Sequence, residues 1–220
     1  MYHYVEDKNF LKKLRCLCSG IINQLVQSIN AEDFMTVEAH LVGSGAKNLE
    51  TQNASEPIDL DYNLVVIDTK CSINDCKLIK EYVRKKFNFV LKRNRWSDCK
   101  DSTSCLTTEK KHFTEGNKTE FSMDLAIVHE THDGTWYRLI HKKTGSLSED
   151  EWFWNIGPNS KSLVKKVEWL KKNNHWDEVR KSYLAKKNMY LRRNDYIHPS
   201  FNCYIETVNE VFNSARGNRN

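Results

Sequence analysis

The stretch LVGSGAKNLETQNASEPIDLDYNLVVI, residues 41–67, decides the fold. It starts at the end of one apolar run and turns at the small residues Gly43-Ser44-Gly45. It then enters a second apolar run, at whose start Asp59 and Asp61 are separated by a single residue. A bend rich in small residues followed by closely spaced acids is the arrangement that needs a chemical explanation.

The apolar runs on either side of this bend predict two β-strands. Residues 34–43 and 57–67 both alternate between apolar and polar side chains, which is typical of half-buried strands. Alternate residues of a strand share a face, so Asp59 and Asp61 are expected to project side by side, about 6–7 Å apart. Their apolar neighbours then point into a core.

The two aspartates predict a metal site next to a phosphate site. Neighbouring carboxylates repel each other, and one of them would protonate unless a cation lies between them. Mg²⁺ prefers hard oxygen ligands and shares them with substrate phosphates. Glycine at position 43 lets backbone N–H groups approach phosphate oxygens, and Ser44 adds a hydroxyl donor.

A third acid lies in a later alternating segment, EFSMDLAIVHE, residues 120–130. Asp124 falls on the face opposite the apolar residues of this predicted strand. If the strand lies beside the one that carries Asp59 and Asp61, the three carboxylates converge. Phosphoryl transfer that uses two metal ions requires such a cluster.

The remaining pattern predicts helices at both ends of a mixed α/β region. The residues DGT, 133–135, predict a hairpin turn, after which a strand is expected over 136–143. We expect a loop with a short strand over 97–119. Lys110 and Lys111 in this loop, and Arg93 and Arg95 before it, are candidates to line a cleft beside the acids. Apolar residues at helical spacing predict helices over 9–29, 73–87, 161–172, 176–193 and 198–212. Asn74 is the expected N-cap of the second helix, and Pro199 is expected in the first turn of the last one. The segment 89–96 predicts a strand.

Composition indicates a globular protein of the cytoplasm. The 11% aromatic content argues against disorder, and no segment has the apolar length of a signal peptide or a membrane span. The seven cysteines are irregularly spaced without a C-x-x-C motif, which predicts free thiols in a reducing compartment. No membrane partner is expected, and the sequence leaves the oligomeric state open.

Positive charge is concentrated in the C-terminal quarter. Residues 161–220 hold 13 Lys and Arg against 6 Asp and Glu, although the whole chain carries only +5. Such a surface could attract polyphosphates or RNA, or it could simply be a set of solvated helix faces.

The turn and the three acids together resemble the DNA polymerase β-type nucleotidyltransferase superfamily. The resemblance covers roughly residues 34–130. It implies an α+β fold with a palm-like mixed sheet, flanking helices and a C-terminal helical subdomain, divided into a core over 1–157 and a helical region over 158–220. It also implies transfer of a nucleoside monophosphate from an NTP, such as ATP, to a hydroxyl acceptor with release of pyrophosphate.

The resemblance also implies roles for individual residues. Gly43 and Ser44 would hold the triphosphate. Asp59 and Asp61 would bind two Mg²⁺ ions, for which Mn²⁺ can substitute. Asp124 would bind the second ion and help to activate the acceptor hydroxyl.

The C-terminal region is similar to the oligoadenylate synthase and cyclic GMP-AMP synthase branch, which includes bacterial CD-NTases. The similarity lies in VEWLKK (167–172) and RKSYLAKK (180–187). It implies that Lys171 and Ser182 contact phosphates and that Tyr183 stacks on the base. Because Tyr183 also falls on the apolar stripe of its helix, a place in the core is the alternative.

Three functions therefore stay open at this point. The first is a nucleotidyltransferase whose acceptor is a second nucleotide, an RNA or a small molecule, an antibiotic included. The second is a binding module of the same fold that holds a nucleotide without turnover. The third is an RNA-binding protein that relies on the basic helices.

Overall fold

The computed structural model describes residues 1–146, 148–158, 161–195 and 200–217. The chain forms two compact units, one from Met1–Val5, Leu49–Glu56 and Asn159–Asn220, and the other from Glu6–Asn48 and Pro57–Pro158. In chain order the elements are β1 (Tyr2–Tyr4), α1 (Lys8–Asn30), β2 (Met35–Leu41), β3 (Thr51–Asn53), β4 (Ile58–Thr69), α2 (Cys76–Arg93), β5 (Lys100–Asp101), β6 (Leu106–Thr107), β7 (Phe121–Glu130), β8 (Trp136–Lys142), β9 (Glu151–Ile156), α3 (Lys161–Lys172), α4 (Trp176–Arg192) and α5 (Ser200–Gly217).

The larger unit is built on a mixed seven-stranded sheet. Its strands follow the order β2-β4-β7-β6-β5, and β8 and β9 extend it from the second half of β7. β4 is antiparallel to β2 and parallel to β7, so it is paired along both edges. This mixed α+β architecture confirms the fold class expected from the sequence.

Two amphipathic helices supply the apolar partner for one face of this sheet. α1 begins after Asp7, whose Oδ1 accepts a hydrogen bond from the Phe10 N–H at 2.9 Å. The helix buries residues at a spacing of three and four, while β4 contributes Leu60, Tyr62 and Leu64 from alternate positions. Burial of this face leaves Asp59 and Asp61 on the opposite face.

The smaller unit packs α3, α4 and α5 around an apolar cluster and adds a two-stranded sheet of β1 and β3. Asn188 on α4 is 6% exposed and holds β1 by both of its amide atoms. Its Oδ1 accepts from the Tyr2 N–H at 2.7 Å, and its Nδ2 donates to the Tyr2 carbonyl at 3.0 Å. Neither short strand was expected from the sequence.

Several local predictions were wrong. The segment 89–96 is not a strand, because α2 continues to Arg93 with Phe87, Val90 and Leu91 buried on its inner face. The N-cap of α2 is Asp75 rather than Asn74. The strand β9 was missed, and the prediction for Pro199 lies outside the described residues.

None of the helices in the described ranges combines the length and apolar character that a bilayer-spanning segment requires. Each of the seven cysteines, all within the described part of the chain, is a free thiol.

Candidate functional site

The register between β4 and β7 brings the three predicted acids together. Asp61 lies directly opposite Asp124, and Asp59 lies opposite Ser122, on neighbouring parallel strands. Residues opposite each other on adjacent strands point to the same face, so Asp59, Asp61 and Asp124 share one face of the sheet. The helices pack on the other face.

The acids perturb one another electrostatically. Burial, and after it the nearby carboxylates of Asp124 and Asp59, raise the pKa of Asp61 from 3.8 to about 6. The pKa of Asp59 is also raised, chiefly because the surrounding protein removes water from it, although a hydrogen bond from Ser122 opposes the effect. The site therefore concentrates negative charge that is not fully compensated.

Two hydroxyl groups hold two of the carboxylates. Thr107 on β6 donates to Asp124 Oδ1 at 2.6 Å, and Ser122 donates to Asp59 Oδ1. Thr107 pairs with Asp124 in the β6–β7 register, and so its side chain lies on the same face. Sequence reasoning identified neither hydroxyl.

The donor set is suitable for a hard divalent cation, although it is not arranged as a finished metal site. Among the residues that the structure describes, no three His, Cys, Asp or Glu side chains are placed to hold a metal ion together. Three carboxylates on one face, with Asp61 repelled by its neighbours, are nevertheless the ligands that Mg²⁺ prefers.

The turn after β2 lies against Asp61. Gly43 has φ +62°, and a Cβ atom at this position would be 2.3 Å from Asp61 Oδ2. The backbone N–H of Val42 donates to the Asp61 carbonyl at 2.8 Å, which fixes the turn to β4. Ser44 follows, half-buried, and precedes a single 3₁₀ turn over Gly45–Lys47.

Basic side chains surround the acids. Lys47 and Arg138 lower the pKa of Asp61, and Lys110 lowers that of Asp59, without overcoming burial and repulsion. Arg138 is exposed and lies opposite Val128, which places it on the face of the sheet that carries the acids. Of these three residues, only Lys110 was a candidate from the sequence.

The residues predicted to contact phosphate and base lie in the smaller unit. Lys171, at the end of α3, is exposed, and its ammonium lies 4.7 Å from the centre of the Trp176 ring. Ser182 on α4 is half-buried. Tyr183 is 2% exposed within the apolar cluster, which agrees with the core alternative and leaves no ring face open to a base in this arrangement.

Comparison with known proteins shows similarity in fold but not in sequence. No protein-family model matches the chain, and no curated protein sequence matches it. Among solved structures, CdnC of Escherichia coli MS115-1 with ATP superposes with a TM-score of 0.63 over 96% of this chain, at 14% identity. Escherichia coli DncV in its 3′-deoxy GTP bound form gives 0.59 over 93% of this chain, at 11% identity.

A third similar structure is the Vibrio cholerae DncV cyclic AMP-GMP synthase in complex with the linear intermediate 5′ pppA(3′,5′)pG. It gives a TM-score of 0.50 over 80% of this chain, at 12% identity. The present chain spans 62% of the CdnC chain, 68% of Escherichia coli DncV and 47% of this Vibrio cholerae structure. The fold is thus that of these CdnC and DncV structures, and the resemblance inferred from the sequence is confirmed at the level of the fold.

Proposed function

We propose that the protein is a Mg²⁺-dependent nucleotidyltransferase that moves a nucleoside monophosphate from an NTP to a hydroxyl acceptor and releases pyrophosphate. The observation that carries the proposal is the register of Asp61 opposite Asp124, with Asp59 on the same face. Its support from the fold is that the similar CdnC and DncV structures contain ATP and 3′-deoxy GTP.

In this proposal Asp59, Asp61 and Asp124 hold two Mg²⁺ ions, or Mn²⁺ in their place. Bound metal would neutralise phosphate charge and make the acceptor hydroxyl a better nucleophile. Each carboxylate has a distinct constraint: Asp59 accepts from Ser122, Asp124 accepts from Thr107, and Asp61 lies against Gly43. The rigid strands keep the three groups on one face while the reactants bind.

The turn at Gly43 and Ser44 would bind the triphosphate. Gly43 keeps the backbone close to Asp61, so phosphate oxygens at the turn would lie next to the acids. Exposed Arg138 and the nearby Lys47 supply positive charge on the same side. Lys171 and Ser182 remain proposed phosphate contacts from the smaller unit, and the base contact predicted for Tyr183 would require its ring to leave the core.

The test is pyrophosphate release from each labelled NTP with Mg²⁺ or Mn²⁺, across nucleotide, RNA and small-molecule acceptors. We expect release in the wild type and its loss in the double variant Asp59→Asn/Asp61→Asn. The matched control is Asp68→Asn, which removes an exposed carboxylate from the other end of β4. A folded double variant as active as the wild type would disprove the proposal, whereas tight NTP binding without turnover would identify a nucleotide-binding module.

A further inference from the structure

A buried ion pair anchors the short β5–β6 hairpin to α2. Lys80 is 1% exposed, on the inner face of the helix among apolar residues. Its ammonium lies 2.7 Å from Asp101 Oδ1 and donates to the Ser102 carbonyl at 2.9 Å. A lysine this deeply buried is uncommon and needs its partners, because an unpaired buried charge is strongly destabilising.

His141 on β8 extends this pair into a network. The ring is 5% exposed, with Nδ1 2.6 Å from Asp101 Oδ2 and Nε2 2.9 Å from Asp150 Oδ2. An ionised carboxylate only accepts hydrogen bonds, and a neutral imidazole has one N–H to donate. Both contacts can be hydrogen bonds at once only if His141 is an imidazolium or one of the carboxyls keeps its proton.

The carboxyls of this network favour their ionised forms. Burial raises the pKa of Asp101, but hydrogen bonds from Lys80 and His141 outweigh it and leave that pKa below its ordinary value. The pKa of Asp150 is lowered first by the Thr144 backbone N–H and then by His141. Both carboxylates therefore accept hydrogen bonds in this network.

The network holds the backbone that places Thr107. Besides the Lys80 contact to Ser102, the His141 N–H donates to the Thr103 carbonyl at 2.8 Å. The Ser102 hydroxyl lies 3.1 Å from Thr107 Oγ1, and Thr107 in turn donates to Asp124. A continuous chain of contacts thus runs from the buried charges on one face of the sheet to the acid on the other.

We propose that Lys80, Asp101 and His141 are positioning residues for Asp124: they fix the hairpin over 100–107 and, through Thr107, the orientation of the Asp124 carboxylate. Stability alone does not explain them, because replacing a buried ion pair by apolar residues of similar size is often neutral or stabilising. The inference rests on the proposed function only in that it takes Asp124 to be a metal ligand.

The test is a double-mutant cycle that combines Lys80→Met with Thr107→Val. The readouts are the Mn²⁺ dissociation constant and the ¹³C chemical shift of the Asp124 carboxylate in the nucleotide-free protein. Each single variant is expected to weaken Mn²⁺ binding by about tenfold or more, the usual effect of losing a group that orients a metal ligand. The double variant should bind Mn²⁺ no more weakly than Thr107→Val alone, because both changes act through the same hydroxyl.

The control is Lys86→Met, which removes an α2 lysine that pairs with Glu32 away from the hairpin. It should leave both readouts unchanged. If Lys80→Met does not fold, Lys80→Met/Asp101→Asn removes both buried charges and takes its place in the cycle. Losses that add up in the double variant, or wild-type readouts in a folded Lys80 variant, would overturn the inference.

These readouts separate this inference from the proposed function. Coupling between Lys80 and Thr107 in the Asp124 chemical shift, without nucleotidyl transfer by the wild type, would support the positioning network and reject the transferase. Nucleotidyl transfer by the wild type, together with an Asp124 resonance that Lys80→Met does not shift, would support the transferase and reject the positioning network.

Discussion

At the scale of single residues, Gly43 shows how closely the turn approaches the acids. Its φ of +62° is unfavourable for any residue with a side chain, and an added Cβ would overlap Asp61 Oδ2 at 2.3 Å. The Asp61 carboxylate would then have to move away from the turn. The glycine is therefore required both by the backbone and by the carboxylate beside it.

We predict that Gly43→Ala lowers the free energy of unfolding by roughly 1–3 kcal/mol, the cost of a strained backbone position, and abolishes most nucleotidyl transfer. Gly20→Ala is the matched control, since a Cβ there meets nothing within 4 Å in the middle of α1. That change should be neutral or slightly stabilising. Thermal denaturation and the pyrophosphate assay measure both variants, and equal effects of the two substitutions would contradict this account.

Asp61 is placed at a cost to the stability of the metal-free protein. Its folded carboxyl, with a pKa of about 6, holds a proton more tightly than the unfolded one at 3.8. The folded state therefore binds more protons between these two values, and stability falls as pH rises through this window. Above pH 6 the full penalty applies until a cation compensates the charge.

We predict that Asp61→Asn stabilises the metal-free protein at pH 7.5 by roughly 1–3 kcal/mol, because each pKa unit corresponds to about 1.4 kcal/mol. The advantage should shrink steadily as the pH is lowered through 6 toward 4. Urea denaturation in the presence of a chelator, at a series of pH values, measures it. A stabilisation by Asp61→Asn that does not change with pH would show that the ionised Asp61 carboxylate does not destabilise the wild-type protein.

At the scale of elements, strong periodicity made the framework predictable. α1, β2, β4 and β7 were expected within one or two residues of their ends, because each repeats its apolar residues at the period of its own structure. The shared face of Asp59 and Asp61 followed from the period of two. The convergence with Asp124 was only a hypothesis, since the pairing of distant strands is not encoded in local pattern.

The end of α2 and the strand β9 could not be predicted in this way. FNFVLKR, residues 87–93, is rich in aromatic and branched residues, so it resembles a strand in composition. Its buried residues Phe87, Val90 and Leu91 nevertheless continue the helical spacing of Ile79 and Val83. β9 exists because β8 offers an edge to pair with, which the local sequence does not reveal.

The hydroxyls at the site illustrate two kinds of missed signal. Ser122 was detectable, because it stands two residues before Asp124 in a predicted strand and so shares its face. Thr107 was not, because it comes from a two-residue strand whose register against β7 depends on the buried network behind it. Positions set by long-range contacts require the folded structure.

The small sheet gives a prediction of its own at this scale. Asn188→Ala should lower the free energy of unfolding by roughly 1–3 kcal/mol, because it leaves both peptide groups of Tyr2 without their partners. Hydrogen exchange at β1 and β3 should accelerate. Lys181→Ala, an exposed change on the same helix, should alter neither measurement; unchanged exchange in the Asn188 variant would refute the assigned role.

At the scale of the whole molecule, composition predicted a globular protein but did not select among the three functions that the sequence left open. The order of strands and the membership of β1 and β3 in the smaller unit join segments far apart along the chain. The predicted domain boundary at residue 157 stays a prediction. So do the roles of Lys171 and Ser182, whose local pattern fits a phosphate site and a solvated helix equally well.

Ligand binding should be visible in the stability of the whole chain. A non-hydrolysable NTP with Mg²⁺ at about 100 times its dissociation constant contributes about 2.7 kcal/mol, and for a chain of this length that corresponds to a Tm increase of roughly 5–10 °C. A chelator should remove most of the increase, and Asp59→Asn/Asp61→Asn should prevent it. A shift that is insensitive to chelation would place NTP binding away from the three acids.

The double-sided pairing of β4 has a consequence for how such a protein can diversify. A backbone change at Asp61 must be accommodated on one edge by β7 and on the other by the turn after β2, whose Val42 N–H donates to the Asp61 carbonyl, so the strand has little freedom to vary there. The irregular segment 108–120, which brings Lys110 near Asp59, is not held between two strands along most of its length. In the proposed transferase, remodelling of that segment would admit new acceptors while the three acids stay in place.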